Sequence, residues 1–358
     1  MFSQFELKRI RRLIDEYIDS NDLNLDGLTL FTEAASGYYL FTSLMASLAK
    51  AKMVYAFTKD SKWGSASDIE KKTYDLAREW NCSGAIEVIT AKTPELIGES
   101  DIIMNTGFVR PIDSEMVRDM KKTAVIPLMY ETWEVRPGEI DLEACEKRDI
   151  LVMGTDEEKQ LNRFQYSAYL SWYLMFQKKI EVFKNKLFYV SSGAIGQKFQ
   201  EVYNGNNLDF KWTSFDPDQG NDMHYINMND KRSILDFITK ADVFVCCEHR
   251  YDKPVIAHDG IITPEELYEA NDSILLIYLC GTIDFNRIIS LGIEIYPSRE
   301  TKFGTYTVYP YELGPRAVLE LTASGLKVGE TMARSRIDGK NIDEAKEYAL
   351  KHSMAMEF

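Results

Sequence analysis

One feature constrains the fold more than any other: apolar runs of strand length alternate with helical patterns along nearly the whole chain. In the first half the runs are 28–33, 52–58, 86–90, 101–106, 123–131 and 150–155, with helices fitting at about 36–50, 67–80, 113–121 and 141–148. In the second half they are 186–192, 210–216, 243–248, 274–280 and 293–297, with helices at about 194–203, 231–240, 263–270 and 284–291. The runs are continuous in apolarity, so each strand is expected to be buried on both faces. A parallel sheet covered by helices on both sides meets that demand. The predicted fold class is therefore α/β, with two Rossmann- or flavodoxin-like domains built on parallel sheets. Ser67 and Glu70 have the spacing of a capping box, which places a helix start at Ser67. An aromatic-rich segment, about 157–183, joins the halves as one long helix, with Phe164, Tyr166, Tyr169, Trp172, Tyr173 and Phe176 expected to pack. A length of 358 residues suits two domains.

Charge and cysteine usage narrow the partners. With 42 basic and 56 acidic residues the net charge is −14, which repels a phosphate backbone, so no nucleic-acid partner is expected. No apolar run approaches the ~20 residues that span a bilayer, and no membrane partner is expected. The amphipathic, charged N-terminal segment lacks the apolar core of a signal peptide. The five cysteines (82, 145, 246, 247 and 280) show no CxxC spacing and are expected to be reduced thiols in the cytoplasm. No His or Cys spacing suggests a metal site.

The most informative stretch is 187–196, which ends in Ser191, Ser192, Gly193, Ala194, Ile195 and Gly196 and is followed by a helical pattern. A strand that enters a glycine turn and then a helix gathers free N–H groups at the positive helix end, where a diphosphate can bind. Asp216, at the end of the next run and 20 residues after Gly196, is placed to accept from the ribose hydroxyls of NAD. Ser191 stands where the first glycine of GxGxxG belongs. The expected cofactor is NAD.

Four segments carry a family resemblance: Ile140 to Val152, the 193–196 turn with Phe215-Asp216-Pro217, Ala241 to Glu248, and Pro310-Tyr311-Glu312-Leu313-Gly314. In order and spacing the chain resembles the D-isomer-specific 2-hydroxyacid dehydrogenases of formate and glycerate dehydrogenase type, and more distantly S-adenosylhomocysteine hydrolase. The resemblance implies a cofactor domain, 161–329, inserted into a substrate domain, 1–160 with 330–358, an active site in the cleft between them, and pairing as a homodimer. It also implies that Cys247 and Gly281, at the ends of two cofactor-domain strands, line the cofactor.

The resemblance breaks at the chemistry. Cys280 stands where that family has its substrate-clamping Arg, and Tyr311 where it has its His. No counterpart of the family's Glu is found. His249, just after the run 243–248, is one substitute proton carrier, because imidazole titrates near neutrality. Tyr311 is another, provided its pKa is lowered. Glu131, beside Trp133 at a strand end, is a third candidate. Arg110 and Arg136, each followed by proline after a strand, offer a planar fork for an anion, unless each pairs with a nearby carboxylate. Glu33 and Ser36, at another strand end, complete the expected substrate contacts. The function expected is an NAD-dependent oxidoreductase of a small polar, anionic metabolite. Two alternatives stand beside it: a hydrolase-like enzyme with tightly held NAD, and a non-catalytic cofactor-binding relative.

Overall fold

The apolar runs become parallel strands in a computed structural model that describes residues 2–157, 164–217 and 222–358. The chain forms two units, 1–161 with 315–358 and 162–314. The first begins with α1 (Gln4–Ser20), whose start is fixed by a Ser3–Glu6 capping box. There follow β1 (Thr29–Glu33), α2 (Phe41–Leu48), β2 (Met53–Phe57), α3 (Ala66–Glu79), β3 (Ile86–Ile89) and α4 (Pro94–Glu99). Then come β4 (Ile102–Ile103), α5 (Ser114–Asp119), β5 (Val125–Pro127), α6 (Leu142–Lys147) and β6 (Leu151–Thr155). The strands lie in the order β6-β5-β4-β1-β2-β3, and all of these pairings are parallel. Alternation splits the side chains between two cores. Phe31, Phe57, Ile103 and Ile126 enter one, while Leu30, Val54, Ala56 and Ile102 enter the other.

The second unit opens with α7 (Gln165–Gln177), then β7 (Lys186–Val190), α8 (Gly193–Gly205), β8 (Asp209–Thr213), α9 (Lys231–Ile238) and β9 (Val243–Cys247). It continues with β10 (Pro254–Ile256), α10 (Pro264–Ala270), β11 (Leu275–Cys280), β12 (Thr282–Ile283), α11 (Phe285–Leu291) and β13 (Glu294–Tyr296). The sheet order is β13-β11-β9-β7-β8, with β10 and β12 forming a separate parallel ribbon. A parallel bridge between Trp212 and Tyr225 extends the sheet past β8. There the Trp212 N–H donates to the His224 carbonyl at 3.0 Å, and Ile226 N–H to the Trp212 carbonyl at 2.8 Å. Counting that bridge as a rudimentary third strand, both units show the order 3-2-1-4-5-6 of doubly wound dinucleotide folds. Each therefore has a switch point, β1/β4 in the first unit and β7/β9 in the second.

The chain then returns to the first unit through α12 (Arg316–Ile337), α13 (Ile342–His352) and β14 (Ala355–Met356), which pairs antiparallel with β6. At Gly329 a Cβ would stand 2.9 Å from side-chain atoms of both Ile102 and Pro127, so α12 lies directly on β4 and β5. This corrects the expected boundary: 315–329 belong to the first unit, because one unbroken helix buries its apolar face there.

Smaller expectations also change. Residues 37–40 form a 3-10 turn ahead of α2. The cap of α3 is Ser65, whose hydroxyl accepts from Asp68 N–H, and Ser67 lies inside the helix. Strand β8 stops at Thr213. The joining helix is described only as α7, residues 158–163 lie outside the described residues, and Phe176 is exposed rather than packed. Among the described residues no helix is long and apolar enough to cross a membrane.

Candidate functional site

At the second unit's switch point, β7 ends and the chain turns through Ser191 and Ser192 into α8. Gly193 has φ +64°, a conformation glycine adopts without penalty. Gly196 is required by contact, since a Cβ there would stand 2.5 Å from the Ser191 carbonyl oxygen. Helix and strand thus approach as the last glycine of a dinucleotide turn permits. Gly193 N–H donates to Asp216 Oδ2 at 2.6 Å, and the Tyr251 hydroxyl donates to Asp216 Oδ1 at 3.0 Å. The N–H groups of Ala194 and Ile195 follow in the first helical turn, where no intrahelical acceptor exists. Ile195 itself is buried in the core and offers only that N–H.

Three strand ends are tied together beneath this turn. Glu248, fully buried just past β9, accepts from the Ser192 hydroxyl at 2.5 Å and from Arg250 and Tyr251 N–H, each at 2.9 Å. Ser192 Oγ in turn accepts from Phe215 N–H at 3.0 Å. Burial pushes the Glu248 carboxyl above the usual carboxylate range, against the pull of these donors. The Ser191 and Thr213 hydroxyls beside the turn are buried without a partner. Arg250 crosses the turn so closely that a Cβ on Gly193 would lie 2.9 Å from its Nη1. The backbone therefore fits a diphosphate. Asp216 and Glu248 bring negative charge to the same place, and the exposed Arg250 side chain lies across the turn at Gly193.

The remaining candidates of this unit are dispersed. His249 is half-buried, with its ring 5.4 Å from that of Tyr306. Tyr311 lies in a 3-10 turn, stacked on Tyr309 at 5.6 Å. Burial raises its pKa, the opposite of what a proton carrier at this position needs. Cys247 and Gly281 are corrected. The Cys247 thiol is fully buried, 3.9 Å from Cys280 Sγ, and faces the core rather than a ligand. At Gly281 a Cβ would meet Cys246 Sγ at 3.2 Å and Glu248 Cβ at 3.3 Å, so the glycine serves packing.

At the first unit's switch point Glu33 closes β1. It is buried, and its Oε2 accepts from Phe108 N–H at 2.8 Å. Burial raises its pKa, opposed by that N–H and by the charges of Arg110 and Lys59. Arg110 forms an ion pair with Glu139 and lies 5.6 Å from the Tyr130 ring centroid. The Tyr130 hydroxyl donates to Glu139 Oε2 at 2.7 Å and accepts from Asn105 Nδ2 at 2.5 Å. Glu33 and Arg110 are thus brought together, and Arg110 has the carboxylate partner that sequence had left open. Arg136 is exposed and meets Glu139 through its backbone, donating its N–H to Glu139 Oε2 at 3.5 Å and accepting from Glu139 N–H at 3.1 Å. Ser36 precedes the 3-10 turn and makes no side-chain cap bond. Glu131 is buried, accepting from Glu157 N–H at 3.2 Å and from the Trp133 indole, which gives it a structural task. Sequence reasoning missed Lys59, Lys92, Tyr130, Glu248 and Arg250. Their common signal is a place within a few residues of a parallel strand's carboxyl end.

Two doubly wound units, one inserted into the other in the sequence, define an α/β chain of two Rossmann-like domains. No protein-family model and no curated protein matches the sequence. Among solved structures it is similar to a dipicolinate synthase chain from Bacillus halodurans, at 10% identity and TM-score 0.53, over 87% of this chain and 99% of that one. It is also similar to a protein from Ralstonia solanacearum assigned as a D-3-phosphoglycerate dehydrogenase, at 10% identity and TM-score 0.51, over 91% and 100% of the two chains. NAD-dependent formate dehydrogenase from Staphylococcus aureus, in complex with NAD, matches at 10% identity and TM-score 0.48, over 84% and 93%. The first two likenesses show the fold.

Proposed function

We propose that the chain is an NAD-dependent oxidoreductase acting on a small polar, anionic metabolite. The second unit would hold the dinucleotide at its 191–196 turn, and the first would hold the metabolite at its own switch point. The observation that carries this reading is the pairing of the 3-2-1-4-5-6 strand order with a contact glycine, Gly196, at the β7/β9 switch point. Ala194 and Ile195 N–H would face the diphosphate, and Asp216 would accept from the ribose hydroxyls. When bound, NAD supplies a hydride acceptor. His249 would move the proton, and Arg110 with Glu33 would orient the metabolite. The reading includes a homodimer in the cytoplasm, with no nucleic-acid or membrane partner.

Titration with NADH, followed by protein-to-nicotinamide fluorescence transfer, tests it. Saturable binding supports the reading, and none at millimolar NADH refutes it. Asp216→Ala is expected to weaken NADH by about tenfold, as loss of a charge-assisted bond implies. Unchanged affinity removes Asp216 from the site. A second reading, cofactor binding without turnover, is favoured by the replacements at the family's Arg and His positions. Cys280 is fully buried there, and burial raises the Tyr311 pKa. NADH binding with no turnover across a metabolite panel would select it.

A further inference from the structure

The β1/β4 switch point of the first unit is locally basic in a chain whose net charge is −14. Cations from three successive strand-to-helix loops converge on three consecutive residues. Lys59, just past β2, holds its ammonium 5.4 Å from the Phe108 ring centroid. Lys92, just past β3, donates to the Val109 carbonyl and lies 5.5 Å from the Phe57 ring centroid. Arg110 is next in the chain and is neutralised by Glu139. Among the described residues neither lysine has a carboxylate in ion-pair contact. The neighbouring acids are otherwise engaged: Glu33 accepts from Phe108 N–H, and Asp113 caps α5 by accepting from Met116 N–H at 2.9 Å. Burial, and then the charge of Lys59, pull the Lys92 pKa down against the charge of Asp113, so the two ammonium groups oppose each other.

Neutral polar atoms at the same place also lack partners. Asn105 spends its amide N–H on Tyr130, and its Oδ1, in a residue 1% exposed, accepts from nothing. Arg110 Nε is buried and donates to nothing. Buried polar atoms of native proteins are rarely left so. Two ammonium groups without an ion-pair partner can each take an anionic group, and the orphaned carbonyl oxygen asks for a donor.

We propose that this switch point binds a small molecule carrying two anionic groups and a hydroxyl, with Lys59 and Lys92 on the anionic groups and Asn105 Oδ1 accepting from the hydroxyl. It rests on the oxidoreductase reading only in treating that molecule as the substrate. The class includes hydroxy-dicarboxylates and phosphorylated hydroxy acids, which share this chemistry.

Calorimetric titration of the full-length protein at about pH 8 with D- and L-malate, tartronate, succinate and lactate tests it. Malate and tartronate carry both features, succinate lacks the hydroxyl, and lactate lacks the second charge. At least one hydroxy-dicarboxylate is expected to bind ten or more times tighter than succinate and lactate. Lys59→Gln, at an exposed position that folding tolerates, should cut that affinity about tenfold and erase the preference over lactate. Nitrogen NMR of Lys92 Nζ should show its pKa rising when the site is filled. The proposal falls if no dianion binds more tightly than lactate, or if Lys59→Gln leaves the preference intact. NADH titration of the same samples separates the two readings. Dianion binding without NADH binding keeps this site and removes the oxidoreductase. NADH binding without a dianion preference does the reverse.

Discussion

Gly196→Ala makes the sharpest physical prediction. The added Cβ would lie 2.5 Å from the Ser191 carbonyl oxygen and 3.0 Å from its carbon, about 0.9 Å short of the 3.4 Å at which ordinary contact begins. Both obstructing atoms belong to backbone held in the β7–α8 turn, so no rotamer change relieves the clash. The helix has to move, and overpacking of this kind costs about 1–3 kcal/mol, with a backbone obstacle at the upper end. For a domain the size of the second unit, ~1 kcal/mol corresponds to roughly 2–4 °C, so its Tm should fall by about 5–10 °C. A control lies in the same helix. At Gly205 a Cβ meets nothing within 4 Å, so Gly205→Ala should raise stability by about 0.5 kcal/mol. Calorimetric scans of both variants give the answer. An unchanged Tm in Gly196→Ala, or equal effects at both positions, would refute the close helix–strand approach on which the cofactor reading depends.

Other predictions concern carboxylates and a hydroxyl. The folded-state pKa of Glu33 is raised, so its contribution is fully present below the ordinary glutamate value of 4.5 and is lost as pH rises through the raised value. Glu33→Gln should therefore flatten the decline of the first unit's urea midpoint with rising pH and increase it at neutral pH; parallel curves would contradict this. Glu248→Ala leaves two N–H groups and the Ser192 hydroxyl without their acceptor, at a cost of about 2–4 kcal/mol in urea unfolding of the second unit. Tyr130→Phe removes the hydroxyl that joins Asn105 to Glu139 and should cost about 1–3 kcal/mol by the same assay, applied to the first unit.

Strand positions were legible because apolar runs are local. The helices expected from 113, 141 and 263 begin behind Asp113, Asp141 and Thr263, whereas the cap read at Ser67 falls on Ser65, since spacing alone does not choose between neighbouring serines. The glycine turn was legible for the same reason. The return of the chain was not. Residues 315–329 carry the same apolar pattern whichever sheet they cover, and only the contact of Gly329 with Ile102 and Pro127 decides it. The site was legible in its parts and not in its pairings. Arg110 stood out from sequence, yet its partner Glu139 lies 29 positions away. Cys247 looked cofactor-facing because strand ends do face ligands, but its thiol falls on the core side of the pleat. Lys59 and Lys92 carry no motif and acquire meaning only when the order β4-β1-β2-β3 sets their loops side by side.

That the first unit is encoded in two separated stretches has a consequence for biosynthesis. All residues of the inserted unit precede position 315, whereas α12 and β14 are translated after it. A nascent chain that has emerged from the ribosome as far as residue 315 therefore presents a finished inserted unit and a leading unit whose β4–β6 face still lacks its cover. That nascent chain is the species most exposed to proteases and most in need of a chaperone.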